Sequence, residues 1–356
     1  MNKNFKIGTK LVGIDQPTYF IADIAANHDG DIEKAKDLIH SSAEAGADAA
    51  KFQHFEAETI VSDYGFKSLG KQQSHQALWK KSVYEVYKDA SLPKKWTPIL
   101  KKECDKAGIE FFTSPYSLEL VDYVDQYLNV YKVGSGDVTW HEIVIHMASK
   151  KKPIIIATGA SNLKEVQHLV NKIQNINNNL CLMQCNTNYT AEKENFKYIN
   201  LNVLKKYKDI FPNILLGLSD HTLGHTTVLG AVTLGARVIE KHYTLNNDSV
   251  GPDHKFSMNY KTWKEMISAT RELEYALGDG EKKVEDNEKE TVVLQRRAIR
   301  LKNKLKKGHK IGREDLIMLR PCPMNAIEPH EVGKILKKKL NKDLNMHQEI
   351  KWSDLD

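Results

Sequence analysis

A chain of 356 residues can bury a sizeable core without disulfide or metal staples. Its apolar (41%) and charged (28%) fractions are those of ordinary globular domains, and a net charge of +6, from 52 basic and 46 acidic residues, suits small anionic substrates but falls far short of a nucleic-acid-binding surface. No apolar run approaches the roughly 18 residues of a membrane span, residues 1–10 are polar and basic with no apolar stretch behind them, and Cys104, Cys181, Cys185 and Cys322 form no C-x-x-C pair; the expectation is a cytoplasmic protein with neither membrane nor nucleic-acid partner.

Eight short apolar or β-branched runs follow one another at 19–25, 49–54, 110–114, 130–134, 153–158, 180–186, 214–219 and 237–243. Each has the length and continuity of a strand buried on both faces. Helical patterns lie between them. Ile32, Ala35, Leu38, Ile39 and Ala43 repeat at helical spacing, with Asp31 as N-cap and Gly46 as stop. Residues 93–107, 163–176, 222–234 and 263–277 read as further helices, three of them ended by Gly108, Gly235 and Gly278. Eight strand–helix units over about 260 residues fit a (β/α)8 barrel. An open doubly wound sheet is the weaker reading, because Ala26-Asn-His-Asp-Gly30 stands where a Gly-rich phosphate turn would be.

Two regions break the pattern. Residues 55–92 form a long polar and aromatic excursion, more often a functional lid than a spacer. Residues 279–290 are charged and aperiodic, and from Arg296 the chain turns to short β-like pieces punctuated by Gly308, Gly312, Pro321, Pro323 and Pro329. The expected division is 1–280, a linker at 281–295, and a small domain at 296–356.

The strand ends carry the chemistry. Ser219-Asp-His-Thr222 and Ile239-Glu-Lys-His242 end neighbouring runs, so His221 and His242 can converge above the barrel. Two imidazoles with open positions suit a divalent metal, with Asp220 and Glu240 to orient or supplement them. Gly251-Pro-Asp-His254 adds Asp253 and His254 at the same rim, or is a simple turn. Lys51 and Gln53 share one face of the second run. Thr113, Ser114, Lys132, Ser135, Gly136, Thr158 and Gly159 end the next three runs. Two lysines among hydroxyls and glycine amides suit a phosphate plus a carboxylate.

With Ala22-Asp-Ile-Ala-Ala-Asn-His28-Asp-Gly30, Ala45-Gly-Ala-Asp-Ala-Ala-Lys-Phe-Gln53 and Lys132-Val-Gly-Ser-Gly-Asp137, these motifs resemble the sialic acid synthases, the NeuB-type nonulosonate synthases. The tail, with Arg296-Arg297, Leu305-Lys-Lys-Gly308 and Arg320-Pro321, resembles that family's SAF (antifreeze-like) domain. The resemblance implies a TIM barrel followed by a β-rich SAF domain, paired as a domain-swapped homodimer. It implies manganese, or another divalent ion such as magnesium or cobalt, on His221 and His242. It implies that phosphoenolpyruvate condenses with the aldehyde of an open-chain N-acyl or deoxy hexose and phosphate is released, a step of carbohydrate biosynthesis. Asp23, Lys51, Gln53, Lys132, Asp137 and Glu240 are then the expected catalytic residues. Asn27, Thr113, Ser135, Thr158, Thr187, Tyr189, Ser219, Asp253, His254 and Arg320 are the expected substrate-binding residues.

The family usually has Glu where Asp23 and Asp137 stand, and Gln184-Cys-Asn-Thr-Asn-Tyr189 and Arg320-Pro-Cys-Pro also depart from its pattern. These positions bear on the identity of the aldose. The alternative is a synthase acting on a phosphorylated aldose, of the sialic acid 9-phosphate or KDO 8-phosphate type, with Lys67, Lys71, Lys80 and Lys81 as candidate cations. A non-catalytic sugar-binding protein is the third reading.

Overall fold

The computed structural model describes residues 4–69 and 81–356. Lys71 and Lys80 lie outside the described residues. The chain divides into two compact units, one ending at Gly278 and one spanning Asp279–Asp356.

The first unit opens with an antiparallel hairpin, β1 (Asn4–Ile7) and β2 (Lys10–Gly13). Eight parallel strands follow: β3 (Tyr19–Asp23), β4 (Ala49–His54), β5 (Glu110–Pro115), β6 (Tyr131–Val133), β7 (Ile154–Ala157), β8 (Leu180–Cys185), β9 (Leu215–Asp220) and β10 (Ala236–His242). Their hydrogen-bonded order is β5-β4-β3-β10-β9-β8-β7-β6, and β5 and β6 come side by side at the seam. This is a (β/α)8 barrel.

The helices between strands are α1 (Ile32–Glu44), α2 (Ala57–Ile60), α3 (Asp63–Ser68), α4 (Val83–Ala90), α5 (Thr97–Ala107), α6 (Leu118–Val124), α7 (His141–Ser149), α8 (Leu163–Gln174), α9 (Val203–Ile210), α10 (Thr226–Thr233) and α11 (Tyr260–Leu277). Their starts are set by caps. The Asp31 side chain accepts from the Glu33 and Lys34 amides, and Asn162 and Ser82 form reciprocal boxes with Glu165 and Glu85. The described part of the excursion at 55–92 contains three of these helices, α2 to α4.

Alternation along each strand sorts two cores. Phe20, Ala22, Ala50, Phe52, Phe111, Ile154, Ile156, Leu182 and Ile239 face the helices. Tyr19, Ile21, Ala49, Phe112, Ile155, Cys181, Met183, Leu215 and Val238 fill the barrel interior. Phe5, Ile7 and Val12 of the hairpin join the interior cluster and close the barrel bottom. Gly217 is required inside: a Cβ there would lie 2.6 Å from the Val238 carbonyl oxygen.

The second unit begins with exposed residues around a 3-10 turn at Asp286–Glu288 and helix α12 (Lys289–Gln295), so the expected linker is partly helical. β11 (Ala298–Leu301) pairs antiparallel with β12 (Leu316–Leu319), and α13 (Val332–Ile335) follows. Ile299, Leu301, Ile311, Leu316, Ile327, Ile335, Leu340, Leu344 and Ile350 form its own small core. Among the described residues no helix is long and apolar enough to cross a membrane.

Candidate active site

The interior alternation continues upward. Above the apolar layers, the next inward positions are Asp23, Lys51 and Gln53, Ser114, Lys132, Cys185, Ser219, and Glu240 and His242. They line a cavity of about 570 Å³ at the C-terminal ends of the strands, where barrels place their chemistry. The loops after the strands add Ser135, Gly136, Asp137, Thr187, Tyr189, His221 and Asp253. Strand register sets the neighbours: Asp23 lies opposite Lys51 and His242, and Ser219 opposite Glu240 and Cys185.

The floor is a buried charge network. Lys51 Nζ is 2.6 Å from Asp23 Oδ2 and 3.9 Å from Glu240 Oε2, while Lys132 Nζ is 3.2 Å from Glu240 Oε1. The Ser219 hydroxyl donates to Glu240 Oε1 over 3.0 Å. Both lysines are 2% exposed. Burial favours a neutral Glu240, but Lys132 and Lys51 outweigh it and bring the carboxyl down to about 2. Burial likewise opposes charge on Lys51, and Asp23 and Glu240 reverse that, so its ammonium is held above the ordinary range. For Asp23, burial wins and its carboxyl is raised.

Two further carboxyls stand nearer neutrality. Burial pushes Asp137 up to about 6 against the pull of Lys132. Burial pushes Asp253 up to about 7, opposed by the Ala26 amide, which donates to its Oδ2 over 3.3 Å, and aided by Asp23. The loop that supplies this amide is strained. Ala25 sits at φ +45°, and its N–H donates to Asp23 Oδ1 over 3.1 Å. A left-handed alanine costs about 1 kcal/mol, here offset by that hydrogen bond. Gly159 is fixed by close approach, since a Cβ there would come within 3.0 Å of Ser135 Oγ, which accepts from the Gly159 amide.

His221 and His242 face one another with ring centroids 5.3 Å apart, and the Tyr189 ring packs 4.3 Å from His221. His221 Nδ1 donates to the Asn186 carbonyl over 2.8 Å, which leaves the lone pair on Nε2. His242 Nε2 is 3.5 Å from Asp23, and its buried Nδ1 is 4.0 Å from Asp253 Oδ2 with no hydrogen-bond partner among the described residues. Burial, with each ring's charged neighbours, lowers His221 to about 4 and His242 to about 3, so both imidazoles are neutral at pH 7. Neutral rings with an uncommitted nitrogen fit a divalent ion. Among the described residues no group of three or more His, Cys, Asp or Glu forms a protein-only cage, so an ion here would keep open positions for ligands. Among the described residues two more buried atoms at the cavity lack hydrogen-bond partners, Ser114 Oγ and Glu240 Oε2. With His242 Nδ1, these three orphans facing one cavity mark a place for a polar ligand.

Four expected substrate contacts do not line the cavity. Thr113 and Thr158 follow the inward residues Phe112 and Ala157 by one position, and alternation turns them outward. Thr113 Oγ1 bonds His54 Nδ1 and the Phe52 carbonyl, and Thr158 Oγ1 bonds the Met183 carbonyl and Tyr207. Asn27 donates to the Tyr243 carbonyl and Ser257 Oγ. His254 is spent between Thr244 Oγ1 at 2.7 Å and Asp29 at 3.0 Å. These four hold the site's scaffold. Arg320 belongs to the second unit.

The cavity also holds residues that sequence reasoning missed: Phe55, Ile60, Val86, Tyr87, Ala90 and Tyr116. Tyr116 continues the inward parity of Ser114. Val83, Val86, Tyr87 and Ala90 form one face of α4, a period-3.6 signal that the polar surroundings hid.

His54, outside the cavity, yields a stability test. Both ring nitrogens are bonded, to Thr113 and Thr97, and burial lowers its pKa from 6.5 to about 3. Below pH 6.5 the unfolded chain therefore binds a proton that the folded chain refuses, and stability falls as pH drops toward 3. This group alone contributes a loss of about 2 kcal/mol between pH 6.5 and about 4.5. Urea unfolding of His54→Gln should show a shallower acid slope than the wild type; parallel slopes would refute the assignment.

The model of the NeuB family matches residues 38–282. N,N'-diacetyllegionaminic acid synthase of Legionella pneumophila is 35% identical over 363 residues, spanning 100% of both chains. Pseudaminic acid synthase of Campylobacter jejuni is 30% identical over 348 residues, covering 96% of this chain and 97% of that one. The crystal structure of N-acetylneuraminic acid synthetase from Leptospira borgpetersenii superposes with a TM-score of 0.71 at 25% identity, over 82% of this chain and 96% of that one. The barrel, its cavity of paired lysines and carboxylates beside two imidazoles, and this agreement along the chain place the protein in the NeuB family of nonulosonate synthases.

Proposed function

We propose that this chain condenses phosphoenolpyruvate with the aldehyde of an open-chain aldose, releasing phosphate and forming a nonulosonic acid. The observation that carries the reading is the floor: two lysines, each 2% exposed, face a cavity beside two neutral imidazoles. A buried lysine pair is costly unless its charge is used. Lys51 and Lys132 would hold the carboxylate and phosphate of phosphoenolpyruvate, with Ser114 and Ser135 as further donors.

His221 and His242 would hold a divalent ion, which when bound supplies Lewis-acid polarisation of a carbonyl oxygen. The enol carbon bonds to the aldehyde carbon, and water adds at C2. One proton of that water passes to a carboxylate and on to the new C4 hydroxyl. The other leaves C2–OH with the phosphate as the C2–O bond breaks. Asp137, near neutrality at about 6, is suited to take and return a proton. Glu240, ionised and anchored by Ser219 and Lys132, is suited to balance positive charge developing at C2.

The motif resemblance also supports a homodimer, an SAF identity for the second unit and a sugar contact for Arg320 as parts of this proposal. Purified protein with manganese should release phosphate only when phosphoenolpyruvate and an aldose are both present. No release across a broad aldose panel would end the reading.

A further inference from the structure

This inference deepens the condensation proposed above and rests on it. The floor of the cavity is committed to phosphoenolpyruvate, and the imidazoles mark where the aldehyde must be activated. The rest of the aldose must then lie against whatever wall remains. That wall comes from the excursion after β4. Ile60 ends α2, and Val86, Tyr87 and Ala90 project from one face of α4. Phe55 packs behind them, 5.3 Å from the Tyr87 ring and 6.1 Å from Tyr116.

The wall is apolar apart from phenol hydroxyls. Three of the described charged side chains around it are engaged in ion pairs or with a cap. Glu85 closes the Ser82 capping box, Lys81 pairs with Asp89, and Lys67 pairs with Asp63. Among the described residues, the cations lining the cavity are Lys51 and Lys132, both on the floor. Tyr87 and Asp253 line the same cavity, and Asp253 lies 4.0 Å from His242 Nδ1. A sugar held at the imidazoles and extended past Asp253 meets the Tyr87 ring.

We propose that this wall is the subsite for the far end of the aldose. It takes an uncharged, methyl-bearing substituent, an acylamino group or a deoxy carbon, rather than a phosphate, and Tyr87 is the residue that discriminates among such ends. An acyl methyl against Val86 and Ala90 gains burial, whereas a phosphate there would lose water without a cation in return among the described residues that line the wall. Helix α4 is held by its cap and by Phe55, so the wall is preformed.

The test uses the full-length chain with phosphoenolpyruvate, manganese and matched aldoses: a 2-acetamido hexose and its 4-acetamido-4-deoxy, 6-deoxy and 6-phosphate analogues. The wild type should favour the acylated and deoxy forms in kcat/KM by about tenfold or more, the scale at which an apolar pocket discriminates. Tyr87→Ala should raise the aldose KM by about tenfold and leave the phosphoenolpyruvate KM within about twofold. Val86→Lys should shift the ranking toward the 6-phosphate. Tyr87→Phe, which keeps the ring and its packing, is the second variant should Tyr87→Ala lose its thermal shift with phosphoenolpyruvate. A wild type that prefers the 6-phosphate overturns the subsite, as does an aldose ranking unmoved in both Tyr87→Phe and Val86→Lys. A wild type that turns over no aldose overturns the condensation itself, while a working wild type with an unmoved ranking overturns the subsite alone.

Discussion

Lys132→Met should lower kcat/KM for phosphoenolpyruvate by about 10²- to 10³-fold, the scale of losing one preorganised charge at a reacting anion. The methionine keeps the apolar stem and removes the charge. Lys132 is the largest attraction holding Glu240 ionised, at 3.2 Å from Oε1. Without it, burial gains the upper hand and the Glu240 carboxyl rises. The fold should also weaken by about 3–5 kcal/mol, because a buried carboxylate is left with only the more distant Lys51 and a serine. These two losses are separable. Adding Glu240→Gln to Lys132→Met removes the stranded charge, so the double variant should recover most of the urea stability while turnover stays low. If Lys132→Met alone keeps the wild-type KM for phosphoenolpyruvate, the lysine serves only the fold and the floor is not an anion site.

The barrel was legible because its signals are long and repeated. Each strand is a continuous apolar run, and the stops at Gly46, Gly108, Gly235 and Gly278 all occupy positive φ. The floor was legible for a physical reason: Lys51, Lys132 and Glu240 are charges inside apolar strands, and such residues are seldom left there without use. The errors came from parity. Thr113 and Thr158 stand at strand ends, like Lys51, but one position out of phase with the inward rows. Counting by twos from Phe112 would have passed over Thr113 and reached Ser114 and Tyr116.

Other features lacked a local signal. The hairpin at residues 4–13 looks polar and basic, and only the alternation of Phe5, Ile7 and Val12 reveals the face that closes the barrel. Asn27 and His254 sit in the right neighbourhood, but the Asn27 amide N–H groups are spent on the Tyr243 carbonyl and Ser257, and both His254 ring nitrogens on Thr244 and Asp29. Motif position cannot show which way a side chain turns once several partners compete for it. The α4 wall was hidden by composition: its apolar face is four residues long and stands among lysines, glutamates and serines.

His221→Ala and His242→Ala should each abolish turnover, by about 10³-fold or more if a Lewis acid is lost, and a chelator should do the same to the wild type. Loss of activity alone would not separate a ligand from a structural histidine, since both rings are buried and packed against Tyr189 and Phe256. The two roles differ in what else fails. The floor proposed to hold phosphoenolpyruvate is built by Lys51, Lys132 and Ser114 on β4 to β6, while the imidazoles stand just past the end of β9 and at the end of β10. A ligand variant should therefore lose the thermal shift caused by manganese and keep the shift caused by phosphoenolpyruvate. A structural collapse would lose both. Asp220 argues for the first outcome. Its carboxylate is held by Lys241 and accepts from the hydroxyls of Thr222 and Thr227, and Lys241 donates to the Thr222 carbonyl. That network fixes the backbone on both sides of His221 without using the imidazole, so the ring can be removed while its surroundings stay in place. If the two alanine variants keep both thermal shifts and full turnover, the imidazoles do not hold the metal.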